Sequence, residues 1–434
     1  MLTKDSLHPA LSHPSLEVMN FLNEVTLRFP DAISFAPGRT YEGFYESGRL
    51  GEQLQTYIRY LEQQQGFSEA QVRTRLFQYG RTNGHIQELI LQMLEKDEGI
   101  RVEPEGVVVT VGCQEGMFIT LRALCATRRD VLLVSSPCYI GIVGAARLLD
   151  IEIIPVEEGE GGLDLEDLAR KAGAARAEGK RPRALYVIPD FSNPSGNSMT
   201  VEMRHRLLEV AEREDLLLLE DNPYGLFSRE RERRPTLKAL DEKKRVIYFG
   251  SFAKSGFPGA RVGYTLADQP VIDAAGHRTL LADELSKVKS MVTVNTSPIS
   301  QALVGGMLLE NDCTLVGANE RGIRFYRENI ETTLRALERA FPRDQAWSRD
   351  VSWNHPAGGF FLVMRLPIEV DEALLELSAK RYGVLWTPMR YFYIDGGGQH
   401  SLRLSCSYLA PPRIEEGIQR LARLIRDRIE DRPS

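Results

Sequence analysis

A lysine and an arginine lie close together in a short segment that follows a strand-like run. The segment Ser251–Gly263 contains Lys254 and Arg261 and comes directly after the apolar run Arg245–Gly250. A charged lysine at the end of a buried strand costs stability when it is unpaired, whereas its neutral amine can form a Schiff base with a carbonyl group. The arginine follows a Pro-Gly turn and offers a guanidinium fork that suits a phosphate. An exposed basic turn is the competing interpretation, because short motifs recur by chance.

Three further turns place polar groups after apolar runs. Asp221 follows the run Leu216–Glu220 and precedes Asn-Pro-Tyr. Asn193 begins Asn-Pro-Ser-Gly, and Gly112 opens a helical pattern after another apolar run. A carboxylate, an amide and the free backbone amides of a helix start can together hold a polar, phosphorylated ligand. Each turn also has a plain explanation, namely an Asx turn, a generic turn and an ordinary strand-to-helix connection.

The segments that must position these residues alternate between strand-like and helical patterns. Short runs rich in Val, Ile and Leu, each ending in a turn, predict an α/β sheet that is covered on both faces. Ligands of such sheets bind beyond the carboxyl ends of the strands, where the polar residues lie. The predicted strands are Gly106–Val111, Val131–Ser135, Ile151–Val156, Ala184–Ile188, Leu216–Glu220 and Arg245–Phe249.

The pattern changes in the carboxyl-terminal part of the chain. A long helical region extends to Ala340, and Pro298 and Gly305-Gly306 are expected to interrupt it. A second group of strands follows, and this change predicts a second, smaller domain. These strands are Ala357–Arg365, Gly383–Trp386 and Ser401–Ser405.

Composition argues against several classes of function. The 434 residues carry a formal net charge of −6, so nucleic acid is not an expected partner. The five cysteines form no Cys-x-x-Cys pair and the seven histidines show no metal-binding spacing, so neither a disulfide framework nor a metal site is expected. No export signal and no membrane-spanning apolar stretch are visible, which predicts a soluble, cytoplasmic protein.

The lysine segment resembles the cofactor-lysine motif of the class I and II aminotransferases, in the branch that includes the kynurenine and aminoadipate aminotransferases. The matching elements span roughly residues 30 to 410 in the family's order, and their joint occurrence is more specific than any one of them. These are fold type I enzymes that use pyridoxal 5′-phosphate. The resemblance implies that Lys254 forms the Schiff base and shuttles a proton, and that Asp221 lies against the pyridine nitrogen. It also implies that Tyr224 and Asn193 hold the phenolate oxygen.

The resemblance further implies where the phosphate and the ring of the cofactor are held. Ala253 stands where a second serine is common, so one hydrogen bond to the phosphate is expected to be absent. Tyr139, in Ser-Pro-Cys-Tyr, is similar to the residue that stacks on the pyridine ring, although a core aromatic has the same signal. Tyr79 corresponds to a tyrosine that reaches the phosphate of the neighbouring subunit, which implies a homodimer with shared active sites. The implied phosphate residues are Gly112, Cys113, Gln114, Ser251 and Arg261.

Two residues are implied to bind the substrate together with Asn193. Arg403, in Leu-Arg-Leu-Ser, is similar to the arginine that binds the α-carboxylate, and Gly38 lies where the N-terminal arm approaches the same group. The segment Pro388-Met389-Arg390 replaces the usual Pro-Gly, so the substrate entrance is expected to differ in shape. The arm is also expected to line a side-chain pocket, through Arg39, Tyr41, Phe44 and Tyr45.

The implied fold is α/β, that of a fold type I pyridoxal-phosphate-dependent transferase. It has a large domain with a mostly parallel, seven-stranded sheet covered by helices, and a smaller α/β domain. The predicted boundaries are 1–50 for an N-terminal arm that packs with the small domain, 51–310 for the large cofactor-binding domain and 311–434 for the small domain.

The implied activity is a ping-pong transfer of an amino group from an L-amino acid, glutamate or an aromatic donor, to a 2-oxo acid. The aromatic arm favours an aromatic or unusual side chain, and the arm and Gln78–Gly84 are similar to transaminases that make hydroxyphenylglycines for peptide antibiotics. A housekeeping aromatic or branched-chain aminotransferase is the alternative. A fold type I lyase, decarboxylase or oxidase would keep the same cofactor residues. A transcriptional regulator with an aminotransferase-like domain is disfavoured, because only about thirty residues precede the first matched element.

Overall fold

The computed structural model of the protein describes residues 2–159, 161–230 and 232–430. Met1 and residues 431–434, which bound the predicted arm and small domain, lie outside the described residues. The helices are α1 (Pro14–Arg28), α2 (Gly48–Gln63), α3 (Glu69–Phe77), α4 (Gln87–Glu98), α5 (Gly112–Leu124), α6 (Ile140–Leu148), α7 (Leu165–Ala177), α8 (Val201–Arg213), α9 (Leu237–Leu240), α10 (Phe252–Ser255), α11 (Leu281–Val292), α12 (Pro298–Glu310), α13 (Leu315–Ala318), α14 (Glu320–Ala340), α15 (Glu372–Leu377) and α16 (Pro411–Glu430).

The strands form two main sheets and two short pairs. They are β1 (Ile33–Ser34), β2 (Val107–Thr110), β3 (Asp130–Ser136), β4 (Glu152–Gly159), β5 (Gly162–Leu163), β6 (Arg181–Val187), β7 (Leu217–Asp221), β8 (Val246–Ser251), β9 (Gly263–Leu266), β10 (Pro270–Ile272), β11 (Arg278–Leu280), β12 (Ser352–Trp353), β13 (Phe361–Arg365), β14 (Val384–Leu385), β15 (Thr387–Pro388) and β16 (Ser401–Ser405).

The larger sheet has eight strands in the order β2-β9-β8-β7-β6-β3-β4-β5. Strands β4, β3, β6, β7 and β8 run parallel to one another, and β9 runs antiparallel to both β8 and β2. The expected mostly parallel sheet is therefore present. It gains an eighth strand because Gly162–Leu163 turns back against the end of β4 as a two-residue antiparallel strand.

Alternate residues of the central strands pack into different cores, as the period of a strand requires. Leu132 and Val134 of β3 belong to a cluster with apolar residues of α5 and α6, whereas Leu133 belongs to a cluster with residues of α7 and α8. Helices thus cover both faces of the parallel sheet, which explains why its strands read as continuous apolar runs.

The parallel strands bring the predicted polar residues to one edge of the sheet. Asp221 is the last residue of β7, and β8 ends at Ser251, directly before the short helix that carries Lys254. The carboxyl ends of neighbouring parallel strands lie side by side, and Asp221 pairs with Phe249 in the register of β7 and β8. Gly112 begins α5 just after β2. The sheet therefore places these turns close together.

The smaller sheet is antiparallel, in the order β12-β13-β16-β15. Arg403 lies in its strand β16, opposite Val363 on one side and Thr387 on the other. The N-terminal arm joins this part of the chain, because β1 pairs in parallel with β14. The domain boundaries proposed from the sequence stay predictions.

Gly305 and Gly306 do not interrupt the long helical region, contrary to the expectation from the sequence. Both lie inside α12, whose first residue is Pro298. A Cβ atom on Gly306 would lie 1.9 Å from the backbone oxygen of Gln53, and one on Gly305 would lie 2.7 Å from the ring of Tyr57. These glycines serve the close approach of α12 and α2 and do not break the helix.

Within the described residues, no helix combines the length and the apolar character that crossing a bilayer requires.

Candidate active site

A cavity of about 270 Å³ lies at the carboxyl ends of the parallel strands, between the larger sheet, the arm and strand β16. It brings together residues that are far apart in the sequence, and all the residues predicted to bind the cofactor or the substrate carboxylate, except Tyr79, line it. These residues are Gly38, Gly112, Cys113, Gln114, Tyr139, Asn193, Asp221, Tyr224, Ser251, Lys254, Arg261 and Arg403.

Lys254 is an amine that has no carboxylate in ion-pair contact among the described residues. Its Nζ donates a hydrogen bond of 2.6 Å to the backbone oxygen of Gly38 on the arm. Burial, followed by the positive charges of Arg261 and Arg403, lowers the pKa of Lys254 from 10.5 to about 8, although Asp221 acts in the opposite direction. The lowered pKa increases the fraction of Lys254 that carries a neutral, nucleophilic amine near neutral pH.

Asp221 has one satisfied and one unsatisfied carboxylate oxygen. Its Oδ2 accepts a hydrogen bond of 2.7 Å from the hydroxyl of Tyr186, and its buried Oδ1 has no hydrogen-bond partner among the described residues. Burial raises the pKa of Asp221 to about 7, while Tyr186 and Lys254 oppose that rise. A buried acceptor without a partner is costly, so Oδ1 is suited to a donor on a ligand.

The turn before α5 and the arginine of the lysine segment meet at one corner of the cavity. Gly112 has a φ of 72°, and a Cβ atom built on it would lie 2.6 Å from Nη2 of Arg261. Only glycine leaves this space open. Among the described residues, no carboxylate lies within ion-pair distance of Arg261. A guanidinium beside a helix start is a suitable site for a phosphate.

The other residues of this corner are neutral hydrogen-bonding groups. Cys113 donates from Sγ to the backbone oxygen of Gly250 at 3.0 Å, and burial raises the pKa of its thiol, so the group stays uncharged. Gln114 donates to the backbone oxygen of Gly141 at 2.8 Å. Ser251 caps α10 by accepting from the backbone amide of Ala253 at 3.1 Å.

Arg403 is buried, with 3% of its surface exposed, and lacks a carboxylate partner among the described residues. Its Nη1 donates to Oδ1 of Asn193 at 2.6 Å, and its Nη2 donates to the backbone oxygen of Ala36 at 2.7 Å and to Thr387 at 3.3 Å. Burial lowers the pKa of Arg403 to about 10. Its Nε is buried and finds no hydrogen-bond partner within the described part of the chain. A guanidinium that is held in one orientation, and whose Nε–H can still donate a hydrogen bond, is suited to an anionic ligand.

Aromatic rings surround these polar groups. Tyr139 lies between β3 and α6 at the cavity wall, and Tyr224 packs against Phe361 with ring centroids 5.6 Å apart. Burial raises the pKa of both tyrosines, so their hydroxyls remain protonated donors. The rings of Phe361 and Phe392 lie 4.3 and 4.8 Å from Cζ of Arg403.

Sequence reasoning missed Tyr186, Phe361, Phe392 and Thr387. Tyr186 pairs with Leu219 in the register of β6 and β7, so Asp221 lies two positions further on the same face, where the tyrosine can reach it. That relation depends on the strand register, which a single sequence does not contain. Phe392 follows the Pro388-Met389-Arg390 departure, which forms a short 3₁₀ turn over Met389–Phe392.

Part of the arm does not line the cavity in the way the sequence suggested. Arg39 borders it, but Tyr41 and Phe44 pack against Phe325, with Tyr41 stacked on that ring at 4.5 Å. Tyr45 contacts the hydroxyl of Thr40. Tyr41 and Phe44 thus pack, partly buried, against the core beside the site, Tyr45 is exposed, and none of the three lines the cavity.

The residues that meet here fit pyridoxal 5′-phosphate. The unpartnered Oδ1 of Asp221 matches the N–H of a protonated pyridine ring. Arg261 and the backbone amides at the start of α5 are suited to bind a phosphate, and the amine of Lys254 is suited to react with an aldehyde. The roles of the individual residues nevertheless stay predictions.

The comparison with known sequences identifies the family. Residues 49–421 match the model of the aminotransferase class I and II family. The chain is 49% identical over 428 residues to (S)-3,5-dihydroxyphenylglycine transaminase of Amycolatopsis orientalis, covering 99% of this chain and 95% of the relative. It is also 32% identical over 332 residues to 2-aminoadipate transaminase of Thermus thermophilus, covering 76% and 77% of the two chains.

Solved structures agree with this assignment. A multiple substrate aminotransferase from Thermococcus profundus has a TM-score of 0.82 and 26% identity, over 99% of this chain and all of that one. An α-aminoadipate aminotransferase from Thermus thermophilus, complexed with N-(5′-phosphopyridoxyl)-L-leucine, has a TM-score of 0.78 and 27% identity, over 98% and 99% of the two chains. The chain therefore belongs to the class I and II aminotransferases, enzymes of fold type I that use pyridoxal 5′-phosphate.

Proposed function

We propose that this aminotransferase acts on aryl-substituted 2-oxo acids and makes or consumes an arylglycine, with glutamate or an aromatic amino acid as the other partner. The similarity to (S)-3,5-dihydroxyphenylglycine transaminase, at 49% identity over 99% of the chain, supports this substrate class. A role in antibiotic biosynthesis is the corresponding proposal for its place in metabolism. The observation that carries the proposed chemistry is the cavity in which Lys254, Asp221 and Arg403 meet.

Arg403 is proposed to bind the substrate α-carboxylate. The bonds to Asn193, Ala36 and Thr387 hold the guanidinium in one orientation before the substrate arrives. Lys254 lines the same cavity, so a carboxylate bound by Arg403 is proposed to bring its Cα atom within reach of the lysine. Phe361 and Phe392 border the guanidinium, and such apolar walls exclude water and accommodate an aryl group on the same carbon.

Pyridoxal 5′-phosphate, when bound, supplies an aldehyde that accepts the amino group and a ring that withdraws electrons from the substrate Cα. Lys254 is proposed to remove and return the proton at Cα, because a pKa of about 8 allows both directions of transfer near neutral pH. Asp221 is proposed to keep a proton on the pyridine nitrogen, and Tyr186 fixes the orientation of its carboxylate. Tyr224 and Asn193 are proposed to donate to the phenolate oxygen.

The remaining cofactor assignments are proposals of the same kind. Tyr139 is proposed to stack on the pyridine ring. The phosphate is proposed to lie in the corner where the guanidinium of Arg261 faces the start of α5, and its proposed contacts are Gly112, Cys113, Gln114, Ser251 and Arg261.

The experiment that tests this function is the visible spectrum of the purified holoenzyme with glutamate, followed by a panel of 2-oxo acids. We expect the cofactor band to bleach with glutamate and to return fastest with phenylglyoxylates. Faster return with phenylpyruvate or a branched-chain oxo acid would instead indicate a housekeeping aromatic or branched-chain aminotransferase. If no donor bleaches the band, the lyase or oxidase alternative gains support. The variant Lys254→Ala should lose turnover in every assay.

We also propose that the active sites are shared within a homodimer. Tyr79 is 84% exposed and lies outside the cavity, and Phe77 and Met291 are 73% and 85% exposed on the same chain. Large exposed apolar side chains of this kind favour burial against another subunit. A second copy would bring its Tyr79 to the phosphate corner.

Mixing two inactive variants tests the shared site. In a hybrid of Lys254→Ala and Tyr79→Ala subunits, one site of each dimer regains both residues if the site uses residues of both subunits. After random reassortment, activity should recover to about a quarter of that of the native enzyme. Activity equal to the mean of the two unmixed variants would contradict the shared site.

The division into an arm at 1–50, a large domain at 51–310 and a small domain at 311–434 is kept as a proposal. It is supported by separate apolar clusters around the two main sheets. A cytoplasmic location is likewise proposed, and it is supported by the five cysteines, which are free thiols in the structure and suit a reducing compartment.

A further inference from the structure

A buried ion pair lies directly behind the start of α5. Nζ of Lys289, on α11, is 2.7 Å from Oε2 of Glu115, on α5, and the lysine side chain is completely buried. Thr293 bridges the pair, since its hydroxyl accepts from Lys289 at 3.0 Å and donates to the other oxygen of Glu115. The two chain segments are far apart in sequence. A buried pair of this kind is costly to assemble, so it needs good geometry and full hydrogen bonding.

The carboxylate of this pair also holds the backbone of the turn. Oε2 of Glu115 accepts a hydrogen bond of 2.7 Å from the backbone amide of Val111, the residue before Gly112. This bond fixes the chain where it passes from β2 into α5. The first amide groups of a helix have no partner within the helix, so their direction at this point decides how well they can meet an anion.

A carboxylate so close to a phosphate site would normally oppose phosphate binding. The side chain of Glu115 lies within the first turns of α5, whose start borders the cavity. Two like charges at short range in a buried region repel strongly. Lys289 supplies the compensating positive charge. The pair can therefore hold the turn in place without presenting a net negative charge to the phosphate.

We propose that Lys289 is a positioning residue for the cofactor phosphate. It neutralises and orients Glu115, and Glu115 in turn holds the amide of Val111 so that the turn at Gly112 faces the phosphate corner. This inference rests on the proposed role of that turn in phosphate binding. Lys289 itself lies behind the turn and makes no contact with the cavity.

The test is a titration of the apoprotein with pyridoxal 5′-phosphate, followed by absorbance, and a parallel titration with pyridoxal, which lacks the phosphate. For Lys289→Met we expect the Kd of pyridoxal 5′-phosphate to rise about ten-fold. This is the lower end of the loss of affinity seen when a residue that orients the direct ligands of an ion is replaced. The Kd of pyridoxal should stay within about two-fold of the native value. The double variant Glu115→Gln/Lys289→Met, which removes both charges, should recover most of the loss.

Two outcomes would overturn the proposal. One is a native Kd for pyridoxal 5′-phosphate in Lys289→Met. The other is an equal loss for pyridoxal and pyridoxal 5′-phosphate, because a general structural defect would weaken both. If Lys289→Met does not fold, Thr293→Val carries the same test without a change of charge, and its Kd for pyridoxal 5′-phosphate should rise about three-fold. An unchanged Kd in Thr293→Val would then refute the inference.

Arg261→Gln separates this inference from the proposed phosphate site. If Arg261→Gln and Lys289→Met both weaken pyridoxal 5′-phosphate selectively, both assignments hold. If only Arg261→Gln does so, the phosphate site stands and the positioning role of Lys289 fails. If Arg261→Gln leaves the Kd unchanged, the phosphate corner is wrongly assigned, and the inference fails with it.

Discussion

Replacing Arg403 by lysine tests whether this guanidinium selects substrates by their α-carboxylate. In the native protein its two terminal nitrogens donate to Asn193, Ala36 and Thr387, and no described residue accepts from Nε. A lysine retains a positive charge but offers no planar fork. It can replace one of the present bonds and cannot at the same time present two aligned donors to a carboxylate.

The size of the effect follows from the bonds that are lost. A hydrogen bond to a charged group contributes about 1.5–3 kcal/mol. Loss of a two-point contact in a buried site should therefore cost about 3–4 kcal/mol, or roughly 10²–10³-fold in kcat/KM for an amino acid. The affinity for pyridoxal 5′-phosphate should remain close to native, because Arg403 is not one of the proposed phosphate contacts.

The assay is the half-reaction under single-turnover conditions, followed by the absorbance of the cofactor. Phenylglycine and benzylamine form a matched pair, because benzylamine is phenylglycine without its carboxylate. Arg403→Lys should slow the reaction of phenylglycine by the factor given above and leave the slow reaction of benzylamine within about three-fold. Arg423→Lys, on α16 outside the cavity, is a suitable control for the substitution itself.

Equal losses for the two substrates would refute the reasoning. That result would mean that Arg403 acts on the cofactor or on the fold, and that another group binds the carboxylate. The Kd of pyridoxal 5′-phosphate for Arg403→Lys then distinguishes the two, since a raised Kd indicates an effect on the cofactor, whereas a native Kd with a smaller free energy of unfolding indicates an effect on the fold.

Three further results are expected. Asp221→Asn should reduce turnover by about 10²–10³-fold in the spectroscopic half-reaction with glutamate, because an amide does not hold a proton on the pyridine nitrogen. Tyr186→Phe removes a hydrogen bond that lowers the pKa of Asp221, so this pKa should rise above its native value of about 7. As the pH is lowered, cofactor binding, measured by titration at several pH values, should therefore begin to weaken at a higher pH than in the native protein. The apoprotein of Lys254→Met should have a larger free energy of unfolding than native apoprotein below pH 8, by at most about 3 kcal/mol in denaturant titrations, and this difference should disappear towards pH 10.5.

The sign of the last expectation follows from proton binding. The pKa of Lys254 is about 8 in the folded protein and 10.5 in its ordinary state. Between these values the unfolded chain binds more protons, so native stability rises with pH, and the cost of the buried ammonium is complete below pH 8. Methionine carries no such cost. A pH-independent difference between the variant and the native apoprotein would contradict the lowered pKa.

The sequence predicts the ends of strands well and the contacts between strands poorly. Lys254, Asp221 and Gly112 were identified because each follows an apolar run and parallel strands share one edge. Tyr186 was missed because its contact with Asp221 depends on register, and Lys289 because its partner lies 174 residues away. Gly305 and Gly306 were misread for a related reason, since a helix break and a close helix contact have the same local signal.

Lys238, Lys254, Lys289 and Arg403 are largely shielded from solvent, and they fall into two groups. They differ in whether a carboxylate forms an ion pair with them, and this difference distinguishes structural residues from residues that bind ligands. Lys289 and Lys238 are buried and each has a carboxylate within 2.7 Å, namely Glu115 and Asp268. Such pairs are complete without a ligand and hold segments of the chain together. Lys254 is partly buried and Arg403 is buried at the cavity, their hydrogen bonds go only to neutral groups among the described residues, and burial lowers the pKa of both. Neither cation has an ion-pair partner among the described residues, so a ligand can supply one, which is the property expected of residues that bind and react.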